Sequence, residues 1–240
     1  MRATLIPFCL LVSLVAGDAV RFRSSEYIVG GLVFEDNFDH GMKNWSVELE
    51  RPGIVEAKAG HLTVDVPAGA TIWFRQRLNM PVLIQYEATA IQAGGANDRV
   101  SDLNCFWMAT DSRSPHDFFA VPRSGAFADY DQLKTYYVGQ GGNGNSTTRL
   151  RRYIGERNSR PLLREHDLSG APYLLHPNVT QTIDLAATES RIEYLSGGSV
   201  IFDFHDSDPY RTGYFAFRTT FSHIQFGRFR VYSLTRKPYR

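Results

Sequence analysis

Apolar side chains alternate with polar ones over short runs, and Gly, Asn, Asp or Pro punctuates most of the gaps. A period of two marks half-buried strands. It predicts strands at 32–38, 45–50, 54–58, 61–66, 71–75, 82–90 and 105–109. Further strands are predicted at 132–138, 148–154, 181–187, 191–195, 200–203, 213–218 and 223–233. These runs are rich in Val, Ile, Tyr, Phe and Thr, the residues that suit a pleated surface. No stretch sustains a 3.6-residue apolar period, and 161–168 offers one helical turn at most. So many short strands without helices between them predict an all-β jelly roll, a sandwich of two stacked antiparallel sheets.

The chain opens differently. Arg2 is followed by an apolar run at 5–15 and by the small residues Ala16, Gly17 and Ala19. The run is shorter than the roughly 20 residues that span a bilayer, so 1–19 is expected to be a signal peptide of a secreted protein. The other reading of this stretch is a buried first helix. Residues 20–31 are expected to form a flexible lead-in. With no Pro/Ser-rich linker further on, 32–240 is expected to fold as a single jelly-roll domain.

Strand alternation assigns faces. Leu150 and Ile154 should point into the core, which sends Arg149, Arg151 and Tyr153 outward. Tyr136 and Val138 suit the core, so Tyr137 and Thr135 face out. By the same logic Phe106 and Met108 go in and Trp107 out. Phe215 and Phe217 go in, with Tyr214 and Arg218 out. Ile72 and Phe74 go in, with Trp73 and Arg75 out. If these strands share a sheet, the outward aromatics and arginines line a groove. Aromatic faces stack on sugar rings, and arginine forks bind carboxylates bidentately. The competing reading makes the same Trp and Tyr residues a second core layer under a loop, with Arg paired to Asp.

Composition narrows the partners. A net charge of +1 lacks the basic excess of a generic nucleic-acid binder, so anions would have to be met by local arginines. No later apolar stretch approaches membrane-spanning length, and no membrane partner is expected. Cys9 falls in the signal segment, which leaves Cys105 without an intrachain partner. Its apolar setting predicts a buried thiol, and metal sites of the Cys/His type are excluded.

Residues 92–153 carry six Asp and six Arg but no Glu. Long polar loops at 94–98, 111–131 and 139–146 interrupt this stretch, and such loops in a compact β domain are usually functional. The glycine-rich 139–146 is expected to be a mobile cover over the groove. Asp102, Asn104, His116 and Asp129 are expected to rim the groove, with His223 nearby. Sequons at Asn44, Asn145 and Asn178 mark candidate glycosylation sites. No cofactor is expected, but residues 35–39 (EDNFD) hold several hard oxygens. Asp206 or Asp208 could join them to bind a structural Ca²⁺.

Five stretches carry a family resemblance: NDRVSDLNCFWMA at 97–109, RSGAFADYD at 123–131, TYYVG at 135–139, TTRLRRY at 147–153 and FAFRTT at 215–220. Over roughly 32–233 the chain resembles a secreted bacterial and fungal domain family of unassigned function, similar to concanavalin A-like jelly rolls. Bacterial members of that family tend to accompany polysaccharide-degrading enzymes. The resemblance implies the jelly-roll fold and an extracellular polysaccharide or oligosaccharide as partner.

The residues favour one reaction over others. A glycosidase needs two carboxylates flanking the bond. The Glu-x-Asp-x-Glu strand of retaining jelly-roll glucanases is absent, and Asp102, Asp111, Asp129 and Asp131 fall in turn-like sequence. A polysaccharide lyase instead needs cations on the uronate carboxylate and a Tyr or His to move protons. Arg149 and Arg151 with Tyr137 and His116 suit that β-elimination, and a neighbouring guanidinium would favour ionised Tyr137. Trp73, Arg75, Trp107, Tyr153, Tyr214, Arg218 and His223 would bind the rest of the glycan. The sequence departs from the Gln-x-His and Tyr-Phe-Lys-Ala-Gly motifs of jelly-roll alginate lyases, so no role carries over from them. The alternatives are a non-catalytic glycan-binding module using the same groove and, after it, a glycoside hydrolase. No Gly-x-Ser-x-Gly elbow supports an esterase, and no helix follows the glycine-rich turn to make a phosphate loop.

Overall fold

The computed structural model describes Phe22 and residues 24–238, so the expected signal segment at 1–19 lies outside the described residues. Strands β1 (Tyr27–Asp36), β2 (Trp45–Leu49), β3 (Ile54–Lys58), β4 (His61–Phe74), β5 (Leu78–Asn79), β6 (Val82–Ala90) and β7 (Leu103–Asp111) occupy the first half. They are followed by β8 (Leu133–Gly141), β9 (Thr147–Ile154), β10 (Asp167–Leu168), β11 (Gln181–Ala187), β12 (Arg191–Ser196), β13 (Ser199–His205) and β14 (Thr212–Arg236). All pairings are antiparallel. Among the described residues no helix is long and apolar enough to cross a membrane.

Two layers face each other, but their hydrogen bonding is continuous. The runs expected at 61–66 and 71–75 are one strand, β4, and those at 213–218 and 223–233 are one strand, β14. In the first layer, Tyr214–Thr220 of β14 lie between β7 and the end of β4, which carries β2 on its other edge. β7, β8, β9 and β10 extend this layer in order. Beyond Phe221 the same strand enters the second layer, pairing with β6 and then also with β1. Register shifts at 220–222 and 227–230, with positive φ at Phe221 (42°) and Arg228 (47°), let β14 bend between the layers.

The core lies between the layers. Ile72, Phe74, Tyr136, Val138, Leu150, Phe215 and Phe217 meet Ile84, Tyr86, Ile183, Leu185, Tyr194 and Phe229 there. Cys105 is buried among them, and burial pushes its thiol up to about 12. Trp107 is also inside, contrary to the alternation expected for its strand. A register shift follows Trp107 in the β7–β8 ladder, and Met108 has a φ of 56°, so both residues reach the core. Phe106 takes the outer face instead. The flexible lead-in is corrected as well. Residues 27–31 are the first half of β1, paired to the end of β14, and Tyr27 packs with Phe22, Leu83 and Leu234.

Candidate functional site

The outer face of the first layer carries the residues that alternation sends there. Trp73, Phe106, Tyr137, Tyr153 and Ala216 form a second buried cluster, with Tyr214 against its edge. The loop between β7 and β8 lies over them. Phe118 stacks on Tyr214 at 4.6 Å and meets Trp73 edge-on at 4.7 Å, while Tyr130 packs 5.3 Å from Phe106. Much of the expected open groove is therefore a second core layer. Trp73 and Tyr153 are fully buried and offer no face to a sugar ring.

Buried charge fixes this loop. Arg123 donates to Glu48 at 3.0 Å, pairs with Asp111 at 3.3 Å and lies 4.3 Å from the Phe118 ring. Glu48 also accepts from Trp73 Nε1 at 2.9 Å and from the Tyr130 hydroxyl at 2.7 Å. Arg218 is buried too, bonding Thr71 and the Gly125 carbonyl beneath Phe127 and Tyr130. Its guanidinium holds the loop and is not offered to a ligand.

One part of the face stays open, a pocket of about 200 Å³ between Phe127 and the turn after β8. Tyr137, Arg149, Arg151 and Asp102 line it, joined by Asn143 and Thr147. The β8–β9 ladder brings them together, because Tyr137 opposes Arg151 and Gly139 opposes Arg149. Tyr137 and Arg149 thus share a face on adjacent strands, as alternation predicts. Gly139 makes the space: a Cβ there would stand 2.6 Å from the Tyr137 hydroxyl and 3.1 Å from Asn104 Oδ1. Asn104 Oδ1 is buried with no partner among the described residues, and Asn104 Nδ2 lies 3.5 Å from Asp102.

The guanidinium groups are only partly engaged. Arg149 gives Nε and Nη2 to Asp167 at 2.7 and 3.3 Å, and Arg151 gives Nη1 to the Arg160 carbonyl. Arg149 Nη1 and the Nε and Nη2 of Arg151 make no hydrogen bond among the described residues. The bond from Arg149 holds the Asp167 carboxyl below its ordinary range. Asp102, at a φ of 60°, is held by Arg99 at 2.6 Å and Ser101 Oγ at 2.5 Å. Burial raises the Tyr137 phenol well above 10, and Tyr153 and Asp102 add to the effect while Arg218 opposes it. The expected ionisation of Tyr137 is thereby corrected, because desolvation outweighs the neighbouring cation.

The remaining expected residues lie elsewhere. His116 is exposed in a separate shallow hollow with Arg77 and Tyr214. Arg75 is exposed and gives Nε to the Trp45 carbonyl at 3.1 Å. Asp129 caps a turn through Ser124 N and Oγ, both at 2.7 Å. His223 Nδ1 pairs with Asp98 at 2.9 Å. The stretch at 139–146 is a tight turn, not a mobile cover. Asn145 pins it by accepting from Leu175 N at 2.9 Å and donating to Leu175 O at 3.0 Å. Of the other sequons, Asn44 donates to Asp36 and Asn178 is exposed beside Gln92.

Among the described residues no three His, Cys, Asp or Glu side chains gather as metal ligands. Asp36 spends its oxygens on Phe38 N, Asn44 and Trp45, and Asp206 spends its own on Tyr136, Arg152 and Asp208 N. Phe127, Asn143, Thr147 and Glu48 were absent from the sequence-based site. The motif at 123–131 contains Phe127, but nothing in the sequence tells which way a loop aromatic turns.

Comparison with known proteins bears on the whole chain. No curated protein matches the sequence. Among solved structures, a Bacillus subtilis protein of unknown function with a galectin-like fold superposes with a TM-score of 0.68. It is 16% identical, over 88% of this chain and 100% of that one. The endo-β-1,3-glucanase from Pyrococcus furiosus gives 0.58 at 9% identity, over 86% and 95%. The carbohydrate binding module CBM66 from Bacillus subtilis gives 0.52 at 11%, over 80% and 97%. These likenesses establish a jelly roll of galectin-like form. Residues 64–229 match the family model of a domain of unknown function, DUF6250, and the chain belongs to that family.

Proposed function

We propose that this protein binds an acidic glycan outside the cell, seating a uronate carboxylate between Arg149 and Arg151. The observation that carries this is the pair of partly free guanidinium groups facing Tyr137 and Asp102 across one small pocket. Two such forks recognise a carboxylate by geometry as well as charge. Asp102 and Asn143 supply polar partners for ring hydroxyls, and Phe127 supplies an apolar edge. The volume is below the roughly 300–1,000 Å³ of pockets for drug-sized ligands, which suits a single sugar residue. A carbohydrate-binding module and a glucanase on the same fold support the glycan reading.

The lyase reading stands second, favoured by Tyr137 in the same pocket as both arginines. A buried phenol held protonated is placed to give a proton to a leaving oxygen, so elimination would need another group as base. Among the described residues Asp102 is the only carboxylate lining the pocket, and a glycosidase works with two, so the hydrolase reading has less support.

Titration with trigalacturonate tests the binding reading. We expect saturable binding that Arg151→Ala weakens by roughly ten- to over a hundredfold, and binding unaffected by that change would overturn it. Incubation with pectate, alginate and hyaluronan tests the second reading, since elimination alone creates the ultraviolet absorbance of an unsaturated uronate.

A further inference from the structure

Gly139 and Gln140 are consecutive residues of β8, so they face opposite sides of the sheet. Gly139 opens the cationic pocket. Gln140 points the other way, to the end of the sandwich where the segment before β11 meets the β12–β13 turn. A larger cavity of about 360 Å³ lies there. We propose that this cavity is a second binding site, for an uncharged sugar.

A one-way relay of hydrogen bonds frames it. The Tyr194 hydroxyl donates to Gln140 Oε1 at 2.7 Å. Gln140 Nε2 donates to Ser196 Oγ at 3.3 Å, and Ser196 Oγ donates to Gln181 Oε1 at 2.7 Å. Gln140 and Ser196 are buried, at 2% and 9% exposure, so the relay is built into the fold and not a surface accident. Tyr194 is a fixed donor at its head, because burial holds the phenol protonated. Each bond sets the orientation of the next group. The relay ends on the Gln181 amide nitrogen, which lines the cavity and has no hydrogen-bond partner among the described residues.

The chemistry of the wall selects the ligand. Among the described residues no Asp, Glu, Lys or Arg lines the cavity, and His176 is the one histidine on its wall. An ammonium entering it would lose water and meet no carboxylate, and a carboxylate would meet no lysine or arginine. Thr182 and Ser199 add hydroxyls beside the Gln181 amide, and Leu174 and Ile201 add an apolar side. Fixed neutral donors and acceptors against aliphatic carbon match a sugar, whose hydroxyls and C–H faces alternate. The two sites have no lining residue in common; between them Thr148 and Gln140 both bond the Tyr173 carbonyl, and Asn145 holds Leu175.

Amide NMR on the ¹⁵N-labelled protein tests this, with cellotriose, laminaritriose, maltotriose and galactotriose as neutral probes and trigalacturonate as the acidic one. We expect at least one neutral trisaccharide to shift the side-chain amides of Gln140 and Gln181. Gln181→Leu should weaken that ligand roughly three- to tenfold, the worth of one neutral hydrogen bond. The proposal is overturned if no neutral probe shifts those amides at about 10 mM, well above a millimolar dissociation constant. It is equally overturned if Gln181→Leu binds as the wild type does, or if trigalacturonate shifts the same amides more strongly. The Nε signals of Arg149 and Arg151 are read in the same spectra, so failure of either site is seen separately from the other.

Discussion

Tyr137 and Arg151 stand directly opposite each other across the β8–β9 ladder, with Gly139 and Arg149 in the same relation two residues along. This register puts a protonated phenol and two guanidinium groups around one small opening. The arginines are not equivalent, because Asp167 already occupies one edge of Arg149. Arg151→Ala should weaken an acidic ligand by roughly ten- to over a hundredfold, the range for hydrogen bonds to a charged group. Arg151→Lys should be nearly as harmful, since a point charge cannot reproduce the fork. Asp167→Asn should tighten binding by releasing Arg149. Calorimetric titration with trigalacturonate reads all three.

Gly139→Ala tests the packing of the pocket. The new Cβ would meet the Tyr137 hydroxyl at 2.6 Å, and the ring is too enclosed to yield freely. A cost of about 1–3 kcal/mol is expected from overpacking. Thermal unfolding should show a lower midpoint, and the same variant should lose affinity for trigalacturonate.

Arg123→Leu tests what holds the loop over the outer face. The substitution leaves the Glu48 carboxylate without its cation, while Asp111 loses one of two and keeps Arg113 at 2.6 Å. Breaking a buried pair in this way costs about 3–5 kcal/mol. Adding Glu48→Gln and Asp111→Asn should recover part of the loss. Urea unfolding of the single and triple variants measures both effects.

Asp98 predicts an acid-sensitive corner. Backbone N–H groups of Ala93 and Gly95, then His223, lower its carboxyl from the ordinary 3.8 to about 2. A depressed carboxyl pKa stabilises the fold above the unfolded value, and the contribution disappears as pH falls through the folded one. Stability should therefore decline between about pH 4 and pH 2, and Asp98→Asn should flatten that part of the curve. Unfolding midpoints measured across this window check the sign.

Alternation made most of the outer face readable. It sent Trp73, Tyr137, Arg149, Tyr214 and Arg218 to the side they occupy, because those strands keep an unbroken pleat at these positions. It failed at Trp107, where the irregularity at Met108 changes phase and no residue pattern announces it. The state of that face was much less readable. Whether Trp73 meets solvent or Phe118 depends on Arg123 finding Glu48, a partner 75 positions away in the chain. Local sequence carries no trace of such a pairing. The same is true of Tyr137, whose protonation follows from enclosure and not from the cation beside it.

The bend in β14 has a consequence for how the protein comes into being. Every other strand precedes it in the chain, yet each layer needs a different half of it to close. Synthesis from the amino end would leave β4, β6 and β7 waiting with open edges until the final strand emerges. Neither layer should mature early as an independent folding unit, and contacts this distant in sequence make for slow closure. During that interval the chain would expose strand edges suited to unwanted pairing, so its demand on chaperones should be greatest just before β14 is complete.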